Sequence, residues 1–293
     1  MPTLAPVARL SLKTILCPTD FSPASRAALP FAEALACIYG STILVAHALP
    51  PEPHGQVVFD RVPAQDDQAW NAAKHKLDEF THDAGLHSIP CKAVLRRGDV
   101  VDVIPQIILD NHVDLIALGT HGRHGVGKMI LGSAAEKIYR SASCPVLTIG
   151  PKTRAAADWK LQRILCPVDV AEDPEPVLHY AFSLAEENQA KVILLEAIPL
   201  VPWQHRPSVA ERSRWALEGL IPEQAKDWCA IDYAVRWEHP AEAILLEARN
   251  READLIVMSV HKSRAGAWSS HLPWPVASEV VSHAECPVLT IRV

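Results

Sequence analysis

Short unbroken apolar runs alternate along this chain with stretches whose apolar positions recur at helical spacing, and the alternation predicts strands and helices in turn. Thr14 to Cys17 is a buried-strand run. Ser22-Pro23 then supplies an N-cap and a proline at the first helical position, and Gly40 ends that helix. Thr42 to Leu49 is a second strand, followed by a proline-rich loop from Pro50 to Pro63. Asp66 to Ala84 reads as a helix stopped by Gly85, and Cys91 to Leu95 as a strand. Val100 to Asn111 is a helix disturbed by Pro105, and Asp114 to Leu118 a fourth strand. Ser133 to Arg140 is a helix, and Pro145 to Ile149 a last strand.

The pattern then starts again. Ile15-Leu16-Cys17-Pro18-Thr19-Asp20 returns as Ile164-Leu165-Cys166-Pro167-Val168-Asp169. Cys144-Pro145-Val146-Leu147-Thr148-Ile149 returns as Cys286-Pro287-Val288-Leu289-Thr290-Ile291. Between them, Val113-Asp114-Leu115-Ile116 echoes Ala253-Asp254-Leu255-Ile256. In the second copy Asp173-Pro174 caps the first helix, Val192 to Leu195 is the second strand, and His239-Pro240 opens a later helix. Pro151 to Trp159 reads as the linker, which sets two domains at residues 1–152 and 153–293. Continuous Val/Ile/Leu strands separated by helices predict a parallel sheet covered on both faces, and right-handed crossovers make each repeat a doubly wound α/β domain.

At 293 residues, 49% hydrophobic, each half can bury a core, and a net charge of −6 favours neither nucleic acid nor an anionic membrane as partner. The opening residues contain no signal-peptide core, and no apolar run approaches the roughly 20 residues of a membrane span. The seven cysteines form no CxxC pair, so they read as reduced core thiols of a cytosolic protein.

The stretch from Gly119 to Ser133 carries the chemistry. It leaves the fourth strand and enters a helix, a context in which bare amides and a helix N-terminus attract phosphate; the alternative is a mobile surface loop. Gly122-x-x-x-x-Gly127-Lys128 approaches the P-loop pattern, but Met129 stands where that motif needs Ser or Thr to ligate magnesium. A P-loop NTPase is therefore not expected.

Gly119-x2-Gly122-x9-Gly132-Ser133, with Pro18-Thr19-Asp20-Phe21-Ser22 and Cys144-Pro145-Val146-Leu147, resembles the signature of the universal stress proteins, and the resemblance covers both halves. It implies a sheet of strand order 3-2-1-4-5 in each repeat and a site for ATP or ADP, with or without Mg2+, in the first. Asp20 would contact the adenine with Thr19 and Pro18 beside it, and Ala48 would supply an apolar contact. The amides of Gly119, Gly122, Gly132, Ser133 and Ala134 would hold ribose and phosphates. His121 and Arg123 either screen phosphate charge or are solvated, and Asp20 has a competing reading as a helix-cap residue. The last strands of the two repeats are expected to pair within the chain as a pseudo-dimer, with a further homodimer open.

The second copy departs from this. Ser259 and Lys262 replace Gly119 and Gly122, and Trp274-Pro275 stand where Gly132-Ser133 stood, so no phosphate cradle is expected there. His239, His261, His271 and His283 match no zinc spacing, and the tryptophans of this half could line a contact or another pocket. No catalytic set is assembled. A nucleotide-binding stress-response protein, a slow ATPase or related adenine-nucleotide enzyme, and a nucleotide-free scaffold all remain open.

Overall fold

The computed structural model describes residues 10–51, 63–86, 89–120, 133–155, 159–170, 173–199, 201–260 and 274–293. They form two compact units that divide at Cys144–Pro145. The first holds β1 (Thr14–Pro18), α1 (Pro23–Ala27), α2 (Leu29–Tyr39), β2 (Thr42–Leu49), α3 (Pro63–Asp83), β3 (Cys91–Arg97), α4 (Val100–Asn111), β4 (Leu115–Gly119) and α5 (Ser133–Ser141). Its strands run parallel in the order β3-β2-β1-β4. Successive residues of β1 and β4 are buried, as strands covered on both faces require.

The second unit holds β5 (Val146–Ile149), β6 (Arg163–Pro167), α6 (Glu175–Asn188), β7 (Lys191–Ala197), α7 (Arg206–Gly219), α8 (Ala225–Trp228), β8 (Ile231–Arg236), α9 (Pro240–Asn250), β9 (Leu255–Val260), α10 (Trp274–His283) and β10 (Val288–Arg292). Its order is β5-β10-β9-β6-β7-β8, so the expected 3-2-1-4-5 arrangement is met in full by the second repeat's own strands. The first repeat's fifth strand, β5, belongs to this second unit. It pairs antiparallel with β10, Leu147 opposite Leu289, and the Thr290 hydroxyl donates to the Val146 carbonyl across the pair at 3.2 Å. Gly150 follows β5 closely against α10: a β-carbon there would sit 2.1 Å from the Val281 carbonyl oxygen.

The repeated Asp-Leu-Ile motif has a structural reason. Asp114 Oδ2 accepts from the amides of Lys13 and Thr14 at 2.7 and 2.9 Å, locking the start of β1 beside β4. Asp254 Oδ2 does the same for Gln162 and Arg163, at 3.1 and 2.9 Å, between β9 and β6. One further charge is fully interior. Glu247 on α9 is 0% exposed and accepts from Arg236 Nε at 2.7 Å and Arg251 Nε at 2.8 Å. Arg251 also reaches Asp232, which pairs with Lys191, so the network ties α9 to β8 and β7.

Two helices differ from expectation. The helix predicted from Pro23 to Gly40 is two, because Pro30 has no amide for the carbonyl four residues back and the chain re-enters helix at Leu29. Pro105, by contrast, leaves α4 unbroken, since Val103, Ile104, Ile107 and Ile108 are buried around it and hold the helix in place. All seven cysteines are free thiols, and burial pushes those of Cys144, Cys166 and Cys286 up to about 12. No helix among the described residues is long and apolar enough to cross a membrane.

Candidate functional site

β1 and β4 are neighbouring parallel strands, Ile15 facing Leu115 and Leu16 facing Ile116, so Asp20 and Gly119 leave the sheet at the same end. Pro18 and Thr19 are buried there, and Asp20 is exposed. The turn after β1 is held by a relay of small hydroxyls. The Phe21 amide donates to Thr19 Oγ1 at 2.9 Å, Thr19 Oγ1 lies 3.0 Å from Ser25 Oγ, and Ser25 Oγ donates to the Ser22 carbonyl at 2.9 Å. Ser22 caps α1 by accepting from the Ser25 amide.

Asp20 Oδ1 accepts from the Ser22 amide at 2.9 Å, an Asx turn. Partial burial pushes its pKa up, but the hydrogen bonds from Ser22 and Ser25 outweigh it and hold the carboxyl below the usual carboxylate value, so Asp20 is ionised at neutral pH. Both readings of Asp20, turn residue and ligand contact, are thus compatible with its position: one oxygen is committed locally, on an exposed side chain.

Gly119 has a packing reason of its own. A β-carbon on it would lie 1.9 Å from the Ala24 carbonyl oxygen and 3.2 Å from the Ser25 nitrogen, so β4 can end against α1 only without a side chain. Ala48 lies on β2, half-buried, and Ala134 is exposed on the first turn of α5, which begins at Ser133. His121, Gly122, Arg123 and Gly132 lie outside the described residues.

The spacing rules missed an aromatic and cationic group beside Asp20. Phe21 adopts φ 63°, in the left-handed region that non-glycine residues rarely enter. Its ring lies 4.3 Å from that of His47 on β2 and 5.8 Å from that of Phe80 on α3. The Lys76 ammonium sits 4.7 Å over the Phe21 ring, and the Arg26 guanidinium 4.3 Å over Phe80. His47 Nδ1 is 2.8 Å from the Thr19 carbonyl, which can only accept, so Nδ1 carries the proton. Burial lowers the His47 pKa and the Lys76 charge adds to this, against the Thr19 hydrogen bond and the Asp20 charge, so the ring is neutral at neutral pH. Only contact across three elements reveals this group; no single motif contains it.

The profile of the universal stress protein family matches residues 11–150 and again 160–292. The chain belongs to the universal stress protein family. A universal stress protein of Mycolicibacterium smegmatis is 23% identical over 297 residues, covering 95% of this chain and 96% of its own. The universal stress protein in the QAH/OAS sulfhydrylase 3′ region of Thermus aquaticus is 32% identical over 141 residues, 47% of this chain and 98% of that relative. The crystal structure of a universal stress protein from Archaeoglobus fulgidus superposes with a TM-score of 0.72 at 16% identity, covering 97% of this chain and 99% of that one. At that identity the likeness speaks to fold. Universal stress proteins of both one-repeat and two-repeat length thus match this chain, in keeping with its internal duplication.

In the second repeat, Trp274 opens α10. His239 stands at the N-cap position of α9 without a side-chain bond to the helix, and His283 Nδ1 lies 2.9 Å from the Glu279 carbonyl; His261 and His271 lie outside the described residues. Among the described residues, no three His, Cys, Asp or Glu side chains converge on a metal site. Trp203 and Trp215 are exposed, and Arg206 lies 5.3 Å over Trp237.

Proposed function

We propose that the first repeat binds ATP or ADP in the crevice at the C-terminal ends of β1 and β4, and that the protein acts in stress response through the conformation or partner contacts this nucleotide sets. The observation that carries the reading is an ionised Asp20, beside Thr19 and Gly119, at the strand ends where open α/β sheets place their ligands. Asp20 and Ala48 serve the adenine, and the amides of Gly119, Gly122, Gly132, Ser133 and Ala134 serve ribose and phosphates. Lys76 and Arg26 add positive charge at the rim, which suits an anionic ligand carrying Mg2+. In this reading the repeats divide near residue 152, and the pairing of β5 with β10 stands in for the strand contact of a dimer.

The Asx turn at Ser22 favours a second reading, in which Asp20 only shapes the turn of a nucleotide-free scaffold. Asp20→Asn separates the two, because an amide oxygen still accepts from Ser22 but the charge is gone. Calorimetric titration of the full chain with ATP and ADP is expected to show binding in the parent and at least tenfold weaker binding in Asp20→Asn at unchanged melting temperature. Absence of nucleotide binding by the parent overturns the proposal in favour of the scaffold.

A further inference from the structure

The outer face of α7 carries a tryptophan with nothing to pack on. Ser213 and Leu217 are the buried residues of this helix, and they set the side that faces the second repeat's core. Trp215 stands two residues from each, which on an α-helix is roughly 200° around the axis, so it lies on the side away from that core. It is 70% exposed, and Trp203, on the 3-10 turn Trp203–His205 just before α7, is 75% exposed. Tryptophan is highly buried on average, so two of them bare on one surface segment mark a contact.

Ser208, Glu211, Arg212 and Gly219 lie at helical spacings of three, four or seven from Trp215; they share its face and are all exposed. Nearby charges are engaged within the chain. Arg214 Nε donates to Glu218 at 3.0 Å and its guanidinium lies 5.9 Å over the Tyr233 ring, while that of Arg206 lies over Trp237. Glu211 and Arg212 differ: among the described residues neither side chain has a hydrogen bond or an ion pair. Two unspent charges of opposite sign thus sit next to a bare tryptophan.

We propose that α7 pairs with α7 of a second copy of this chain, antiparallel about a two-fold axis between Glu211 and Arg212. Charge selects this arrangement. A parallel pair sets Glu211 against Glu211 and Arg212 against Arg212, whereas the antiparallel pair sets Glu211 of each copy against Arg212 of the other, twice over as the symmetry requires. The same register lays Trp215 over Ser208, a small residue. It also brings Trp203 of one copy to Gly219 of the other, where a β-carbon would meet nothing within 4 Å of its own chain. Because β5 is already paired with β10, such a dimer leaves that strand contact intact. Four tryptophans at these exposures bury roughly 400–700 Å², against about 1,200–2,000 Å² for a stable interface. The dimer is therefore weak and depends on concentration.

The test is sedimentation equilibrium of the nucleotide-free full chain over a micromolar-to-millimolar series. The parent mass is expected to rise from 32.1 kDa toward twice that value. Trp215→Ala is expected to weaken association at least tenfold at unchanged melting temperature, since the ring is exposed in the single chain. Glu211→Arg and Arg212→Glu each bring like charges together and are expected to stay monomeric over the series. An equimolar mixture of those two variants, or one chain carrying both changes, restores opposite charges across the axis and is expected to associate as the parent does. Asp20→Asn is expected to associate fully, so failure of the nucleotide reading and failure of this one register separately. A parent that stays monomeric throughout overturns the proposal and leaves the face to a different protein. Association undiminished in Trp215→Ala, or charge variants that mixing does not rescue, also overturns it by placing the contact elsewhere.

Discussion

Gly119 lets packing be separated from ligand binding. The 1.9 Å approach of its missing β-carbon to the Ala24 carbonyl oxygen compares with 3.4 Å or more for ordinary contact, and the obstacle is backbone, not a movable side chain. Gly119→Ala must push β4 and α1 apart by about 1.5 Å, and overpacking of this kind costs about 1–3 kcal/mol, here toward the upper limit because neither partner can rotate away. At about 3 kcal/mol the melting temperature falls by roughly 6–12 °C for a domain of this size. Urea and thermal denaturation of nucleotide-free protein are the assays. Position 259 is the internal control: the second repeat carries serine there, and its first helix among the described residues starts only at Glu175, so among those residues no separate helix corresponds to α1. Ser259→Gly is expected to change stability by no more than about 1 kcal/mol, the entropic cost of glycine in a strand. If Gly119→Ala stays within about 0.5 kcal/mol of the parent by the same measure of point-mutant effects, the packing explanation is wrong.

Three further outcomes follow from the geometry. Glu247→Ala is expected to cost about 3 kcal/mol in urea denaturation, the low end for breaking a buried pair, because Arg236 and Arg251 keep part of their surface in water. Asp114→Ala strips two amides of a charged acceptor and is expected to cost about 2–3 kcal/mol, with Asp254→Ala similar. For His47, whose folded pKa lies below the ordinary 6.5, the stability contribution is complete above that value and is lost as pH falls through the lower folded one. Melting temperatures of the parent should therefore drop more steeply on mild acidification than those of His47→Asn, which keeps a donor for the Thr19 carbonyl; parallel profiles would contradict the burial of a neutral ring.

Elements made of continuous apolar runs were legible in the sequence, because burial on both faces leaves no other composition: β1, β4, β6 and β9 stand within a residue or two of where their runs lie. Helix interruptions were harder, since the same residue acts oppositely in two settings. Pro30 splits a helix, while Pro105 is tolerated inside α4 because its neighbours are buried. At the candidate site, Asp20 and Gly119 were findable from motif and spacing, though the contact of Gly119 with Ala24 was not, being a matter of distance between elements far apart in the chain. His47 carries no local signal at all. Its importance comes from register, as the residue just beyond the one that pairs with Pro18, and only the aligned strands make that visible.

The assignment of β5 to the second unit limits how the chain can be divided. A cut in the segment between Pro151 and Trp159 respects the duplication but removes β5 from its partner, leaving the backbone donors and acceptors of β10 uncovered along one side. A bare strand of this kind recruits whatever strand it meets, most readily one from another molecule. Fragments made at the duplication boundary would thus be prone to self-association, and a chain with a single repeat must find in a neighbour what this one carries covalently.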